Sequence, residues 1–144
     1  LRVAALEEAI ADLTRATELD PGLAAAHLNL GIAYYRSRDG ETALEHVVEA
    51  IEQGPGYARA YWNQGHMLGM QGDYEPGLAA FDVAVRLGPD DPINLMGRGL
   101  AYANLGRVTA ARADLAAALA LTDDPALTVP IETALRDMPT GDSD

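Results

Sequence analysis

The chain has 144 residues, and its 22 acidic side chains against ten arginines give a formal net charge of −12. A surface this negative argues against nucleic-acid and anionic-membrane partners, because both are bound through basic side chains. Cysteine is absent, which excludes disulfides and thiolate chemistry, and no apolar run approaches the ~18 residues of a membrane span. The length predicts one ordinary domain with its own core.

A period of 34 residues runs through the chain. Prolines recur with this spacing at Pro21, Pro55 and Pro89. Glycines recur with the same spacing at Gly31, Gly65 and Gly99. Two residue types that recur with the same spacing indicate an internal repeat.

Each period contains two apolar patterns with helical spacing. In the first full period they cover residues 24–37 and 42–53, with the turn signal Arg38-Asp39-Gly40 between them. Alternation typical of a strand is absent from the sequence. The unit is therefore predicted to be a helical hairpin. A glycine in mid-helix costs about 1 kcal/mol relative to alanine, so Gly31 is expected where the partner helix approaches closely.

These residues resemble the tetratricopeptide repeat, a 34-residue helix–turn–helix unit. The first full copy keeps Leu30-Gly31, Tyr34, Ala43, Ala50 and Pro55. The later copies depart from the family pattern at Gln64 and Arg98, where leucine is usual, and at Gly77, where alanine is usual. The resemblance implies an all-α fold, a right-handed α-solenoid of about eight stacked helices. It also implies that the first helix of each repeat lines a concave groove.

The repeat register predicts a tetratricopeptide repeat domain over residues 1–138 and a disordered tail over 139–144. Within the domain we expect the second helix of an incomplete repeat at 1–23, repeats at 24–57, 58–91 and 92–125, and a capping helix at 126–138. The regular part of that cap is predicted from Val129 to Met138, with Pro130 in its first turn. The missing first helix and the missing initiator methionine predict a fragment of a longer protein.

No residue pattern points to catalysis, a metal or a cofactor. The histidines His27, His46 and His66 lack metal-ligand spacing such as i, i+4. Four glutamates form one stripe on a second helix, which is interpreted as a solvated outer face: Glu41, Glu45, Glu49 and Glu52. We therefore predict a non-enzyme without a bound metal or cofactor.

The predicted peptide-binding groove consists of the concave positions of the repeats. Its residues are Asn29, Ile32, Tyr35, Arg36, Arg59, Trp62, Asn63, His66, Met70, Met96 and Leu100. Trp62 is the only tryptophan, and it either anchors a partner or packs within the solenoid. By resemblance, Asn29 and Asn63 are placed to hydrogen-bond an extended peptide. The lysines with which some family members clamp chaperone tails are absent, so that partner is not expected.

The sequence favours a non-catalytic protein–protein interaction module or scaffold that binds a protein or peptide segment of unknown identity in its groove. The alternative is a regulatory or scaffolding domain of a longer enzyme, such as a kinase, transferase or protease. Self-association through the N-terminal helix, by way of Leu6, Ile10 and Leu13, is a further open possibility. The alanine-rich, lysine-free composition suggests a bacterial source. A cytoplasmic location is expected, with a periplasmic one open if an upstream signal was removed.

Overall fold

The computed structural model describes residues 2–142 and folds them into eight helices. They are α1 (Arg2–Leu19), α2 (Ala24–Arg36), α3 (Gly40–Gln53), α4 (Ala58–Met70), α5 (Tyr74–Leu87), α6 (Pro92–Asn104), α7 (Val108–Ala120) and α8 (Pro125–Asp137). The prediction of an all-α helical repeat solenoid of about eight helices is confirmed. Over the same residues, no helix is both long and apolar enough to cross a lipid bilayer.

Three helical hairpins, α2–α3, α4–α5 and α6–α7, form the body of the molecule, and each is closed by the same backbone hydrogen bond. The amide of Asp39 donates to the carbonyl of Tyr34, and Asp73 donates in the same way to Leu68, each over 3.0 Å. In the third hairpin Arg107 donates to Tyr102 over 3.0 Å. This pattern satisfies a carbonyl at the end of the first helix and turns the chain into the second.

The recurring glycines lie where the two helices of a hairpin touch. A Cβ on Gly31 would lie 2.8 Å from Val47 Cγ2 and 2.9 Å from the carbonyl oxygen of Ala43. A Cβ on Gly99 would lie 2.9 Å from Leu115 Cγ. The close approach expected at Gly31 is therefore confirmed, because only a residue without a side chain fits there.

The core runs through the stack as three clusters of buried side chains. One joins α2, α3 and α4 around Leu28, Val47 and Met67. A second is centred on Phe81, and a third on Leu115 and Ile131. The helix α4 contacts both α2 and α6, so the first helices of the three hairpins lie side by side.

The first helix, α1, has no fully buried residue. Leu6, Ile10 and Leu13, the apolar residues expected on one face, are half-buried against α2. The opposite side of α1 is exposed, and Val3 and Leu19 keep 69% and 77% of their surface accessible.

The C-terminal helix corrects two expectations. It begins at Pro125, four residues before the predicted Val129, because the Asp124 carboxylate accepts a hydrogen bond from the amide of Ala126 and caps it. Pro130 therefore lies inside the helix instead of in its first turn. Residues 139–142 of the predicted disordered tail lie against α7, where Asp142 accepts a 2.7 Å hydrogen bond from the amide of Thr109. The last two residues of that predicted tail lie outside the described part of the chain.

Candidate functional site

The predicted groove residues all belong to α2, α4 and α6, the first helices of the three hairpins. The surface that these helices share is called the first-helix face below. Five of the predicted residues line one cleft in this face: Trp62, His66, Met70, Met96 and Leu100. The structure therefore brings together the α4 and α6 part of the predicted set.

This cleft, called the α4–α6 cleft below, has a volume of about 420 Å³. It is lined by glycines and one alanine, by four aromatic rings, by two methionines, and by Leu100 and Asn104. No carboxylate, arginine or serine lines it. An uncharged cleft is a distinct feature on a chain with a net charge of −12.

Gly69 contributes open space to the cleft. This glycine occupies the position that Tyr35 holds one repeat earlier, 34 residues before it. In the first repeat the Tyr35 ring packs edge-on against His66, with 5.9 Å between the ring centroids. Gly69 offers no such ring toward Leu100, and a Cβ built on it would meet no atom within 4 Å. The space that a tyrosine side chain would take is therefore empty between α4 and α6.

Trp62 forms one wall of the cleft and is fixed there by three contacts. Its indole Nε1 donates to the backbone carbonyl of Ile93 over 3.1 Å. Its ring stacks on His66, with 5.2 Å between centroids and 11° between planes, and meets Phe81 edge-on at 6.1 Å. A Cβ on Gly97 would lie 2.7 Å from the indole nitrogen, so glycine there admits the indole. Trp62 thus both packs within the solenoid and faces the cleft.

His66 is held between aromatic rings in a partly buried position. Burial lowers its pKa below the usual value of 6.5, because removing an imidazolium from water disfavours the charged form. The ring is therefore neutral at pH 7 and adds to the uncharged lining of the cleft.

The other predicted groove residues lie elsewhere. Asn63 is not presented to the first-helix face, because it is buried and its Nδ2 donates to the carbonyl of Arg59 over 2.8 Å. Asn29 and Arg59 are exposed and Ile32 is half-buried, all outside the cleft. Arg36 lines a separate depression between α1 and α2.

Sequence reasoning missed the residues that shape the cleft, Gly69 above all, together with Tyr74 at its edge. The available signal was the change from tyrosine to glycine between equivalent columns of the repeat. This signal appears only when equivalent positions of the repeats are compared for the residues that differ as well as for those that agree.

The two remaining histidines form a separate aromatic cluster. His46 stacks on Tyr34 at 5.3 Å and lies 6.2 Å from His27. Burial, and next the nearby His27, lower the pKa of His46, while Glu45 and Glu49 act in the opposite direction. Within residues 2–142, no three histidine, aspartate or glutamate side chains are grouped so as to hold a metal ion.

The glutamate stripe follows α3 and borders a shallow depression that also includes Leu44 and Val48. Three of its four members are exposed, and Glu49 is half-buried. The Glu49 carboxylate accepts a 2.8 Å hydrogen bond from Gln53 Nε2. This depression is lined by residues of α3 and by Gln71, and by none of the α4–α6 cleft.

Comparison with protein families explains the repeated hairpins. A tetratricopeptide repeat model matches residues 65–136, which is half of the chain, and a second matches residues 28–92. A TPR repeat model also matches residues 5–37. The chain belongs to the tetratricopeptide repeat family. This membership supports a role as a protein–protein interaction or scaffold module.

Solved structures of other repeat proteins share the fold. The thermophilic tetratricopeptide repeat protein TTC0263 of Thermus thermophilus superposes with a TM-score of 0.81 at 24% identity, over 94% of this chain and 76% of that one. The crystal structure of the MamA protein superposes with a TM-score of 0.74 at 24% identity, over 87% and 68% of the two chains. At this identity the likeness concerns the fold. No curated protein matches the sequence significantly.

Proposed function

We propose that this tetratricopeptide repeat module binds a segment of a partner protein on its first-helix face, with one bulky uncharged side chain of that segment inserted in the α4–α6 cleft. The observation that carries the proposal is the empty space beside Gly69, where the preceding repeat has Tyr35. A ring or branched aliphatic group supplied by a partner would fill that space.

The size and lining of the cleft support this occupant. Its volume of about 420 Å³ falls within the ~300–1,000 Å³ of pockets that hold small ligands. Met70 and Leu100 are exposed at the cleft, with 67% and 37% of their surface accessible. Covering them with an apolar side chain is favourable, and fully burying one such side chain stabilises a complex by about 1.5–3 kcal/mol.

The same lining supports a non-catalytic role. General acid–base catalysis uses a titratable group positioned near the reacting atoms. In this cleft the titratable side chains are His66, which is stacked on Trp62, and Tyr74 at the edge. Neither forms a hydrogen bond to a second functional side chain within residues 2–142, so no nucleophile–base pair supports an enzymatic interpretation.

The experiment is selection of peptides from a phage-displayed random library on the immobilised protein, followed by affinity measurement with fluorescently labelled selected peptides. The test variant is Gly69→Tyr, which places in the second repeat the residue that the first repeat has. We expect it to weaken binding by roughly 10- to 150-fold, the equivalent of the ~1.5–3 kcal/mol lost when the pocket is already filled.

Two controls separate occlusion of the cleft from damage to the fold. The melting temperature of Gly69→Tyr should not fall, because its Cβ meets nothing within 4 Å. Glu45→Gln with Glu49→Gln, in the glutamate stripe on α3, should leave affinity unchanged. Wild-type affinity in Gly69→Tyr, or loss of binding in the stripe variant alone, would place the binding surface elsewhere.

Self-association through α1 is a separate proposal. It is supported by Leu6, Ile10 and Leu13, which α2 buries only in part, and by Val3, which is exposed. Sedimentation equilibrium should then give a mass that rises with concentration. The variant Val3→Glu should lower the apparent association constant if the exposed side of α1 forms the interface.

A further inference from the structure

Arg38 adopts a left-handed backbone conformation, and the equivalent residues of the other two hairpins, which adopt it too, are glycines. It is the only non-glycine residue with a positive φ within residues 2–142, with φ 67°. The positions 34 and 68 residues later in the chain are Gly72 and Gly106, with φ 87° and 72°. All three residues occupy the same place in the turn between the helices of a hairpin.

The left-handed conformation is unfavourable for a residue with a Cβ, which comes too close to the neighbouring carbonyl oxygen. Glycine adopts it without that clash. The fold therefore gains no backbone stability from arginine at position 38, and the hairpin forms the same hydrogen bond with glycine in the other two repeats. A strained residue at such a position indicates a role for its side chain.

The Arg38 side chain lies next to the α4–α6 cleft. With Tyr35, Gly40, Met70 and Gln71 it lines a second depression of about 340 Å³. Met70 lines both this depression and the α4–α6 cleft. A segment with one side chain in the cleft can therefore continue across Met70 and reach the guanidinium.

Arg38, which is unpaired among the described residues, places a positive charge on a molecule that is acidic as a whole. The chain carries a net charge of −12, yet within residues 2–142 no carboxylate lies within ion-pairing distance of Arg38. The neighbouring Asp39 carboxylate is engaged at the start of α3, where it accepts a 3.1 Å hydrogen bond from the amide of Thr42. The guanidinium is free to bind an anion that a partner brings.

We propose that Arg38 makes this surface select acidic segments: the partner carries an aspartate or glutamate beside the bulky uncharged residue that enters the α4–α6 cleft. This inference rests on the function proposed above and adds the second element of recognition. The guanidinium donates two parallel hydrogen bonds to the carboxylate, the geometry that planar forked donors favour. Among the described arginines near this face, Arg38 is the one that shares a depression with Met70, so the preference for an acid beside the cleft depends on it.

The test repeats the library selection with wild type and with Arg38→Gly. Peptides selected by wild type should be enriched in aspartate or glutamate beside an apolar anchor, and those selected by Arg38→Gly should keep the anchor and lose the acidic enrichment. For one labelled wild-type peptide, Arg38→Gly should lower affinity about fivefold, the size expected for a single exposed charge pair. The wild-type affinity should also fall as NaCl is raised, because exposed pairs are screened by salt.

Matched variants separate charge from backbone strain. The melting temperature of Arg38→Gly should be equal to or above that of wild type, so a loss of affinity cannot come from unfolding. Arg38→Asn is neutral and tolerates the left-handed conformation, and it should lose the acidic preference. Arg38→Lys keeps the charge without the forked donor, and it should retain the preference with a lower affinity. Arg86→Gln, which removes an exposed arginine on α5, should leave the preference unchanged.

The outcomes distinguish the two proposals. Selected peptides with an apolar anchor but no acidic enrichment, or with the same enrichment in Arg38→Gly, would overturn the role of Arg38 and leave cleft binding intact. Peptides that bind Gly69→Tyr as well as wild type would overturn the cleft, and selection of no peptide by wild type would overturn both.

Discussion

At the scale of single residues, two glycines on α4 have opposite roles. Gly65 lies against α5, and a Cβ on it would lie 2.9 Å from the carbonyl oxygen of Gly77 and from the Phe81 ring. Gly69, one helical turn later, faces empty space. The first glycine permits close helix packing, and the second leaves a cleft open. The same amino acid therefore supports folding at one site and surface shape at the other.

Gly31 provides the test of the packing role. We expect Gly31→Leu to lower the free energy of unfolding by at least about 1–3 kcal/mol, because overpacking a helix contact forces the backbones apart. The new side chain would begin 2.9 Å from the carbonyl oxygen of Ala43, which cannot rotate away. The matched control is Gly69→Leu, the same exchange at a glycine where an added Cβ meets no atom within 4 Å, which should leave stability unchanged or higher. Urea denaturation of both variants measures the difference, and equal stabilities would contradict the packing role.

Individual side-chain directions were the hardest feature to predict from sequence. Asn63 matched a groove position by resemblance, yet its amide donates to the Arg59 carbonyl four residues earlier. Short polar side chains have this local alternative in any helix, and no spacing rule tells which one is taken. Trp62 had two open interpretations. Its hydrogen bond to Ile93 shows that it packs within the solenoid, and its role as an anchor for a partner stays a prediction, since its ring also lines the cleft.

At the scale of helices, an ion-paired arginine joins three of them. Arg98 on α6 donates two hydrogen bonds to Asp114 on α7, at 2.7 and 2.9 Å, and one to Asp82 on α5 at 2.8 Å. The hydrogen bonds to Asp114 raise the pKa of Arg98, which stays charged. Asp114 keeps only 10% of its side chain exposed, whereas Asp82 keeps 47%. The bond to Asp114 therefore dominates, since exposed pairs contribute little.

The charged pair of Arg98 and Asp114 occurs in the third hairpin and has no counterpart in the second. One period earlier the two positions hold Gln64 and Ala80. We expect Arg98→Leu alone to lower the free energy of unfolding by about 2–4 kcal/mol, because Asp114 would be left buried without its cation. The double variant Arg98→Leu with Asp114→Ala should recover most of that loss, since no buried charge remains.

The measurement is thermal and urea unfolding of the wild type, of Arg98→Leu and of the double variant. An Arg98→Leu protein as stable as wild type would show that the pair does not hold α6 to α7. A double variant as unstable as the single one would show that the loss comes from packing of the long arginine side chain.

Helices and turns were predictable because several local signals agree on them. Apolar spacing, the Arg38-Asp39-Gly40 turn and the period of 34 residues all predict the hairpin found in α2 and α3. The start of α8 was missed because Pro130 was interpreted as a first-turn proline. The stronger signal was Asp124 followed by Pro125, a capping carboxylate and a proline at the first helical position.

At the scale of the whole molecule, two partly buried histidines in different hairpins make stability depend on pH. Burial lowers the pKa of both His46 and His66 below 6.5. Well above pH 6.5, the usual histidine pKa that holds in the unfolded chain, the rings are neutral in both states and stability is at its full value. Below it, the unfolded chain takes up protons that the folded chain refuses, and the difference favours unfolding.

The free energy of unfolding should therefore fall as the pH is lowered from 7.5 to 5.5, measured by urea denaturation at several values in that window. The decline should stop once the pH is below the folded-state pKa values, where both states bind the proton. The double variant His46→Gln with His66→Gln should flatten the profile, because it removes the groups that take up protons on unfolding, and His66→Gln alone should flatten it in part. A double variant that keeps the wild-type slope would assign the pH dependence to other groups, and a wild-type protein that gains stability toward pH 5.5 would show that relief of charge repulsion outweighs both rings.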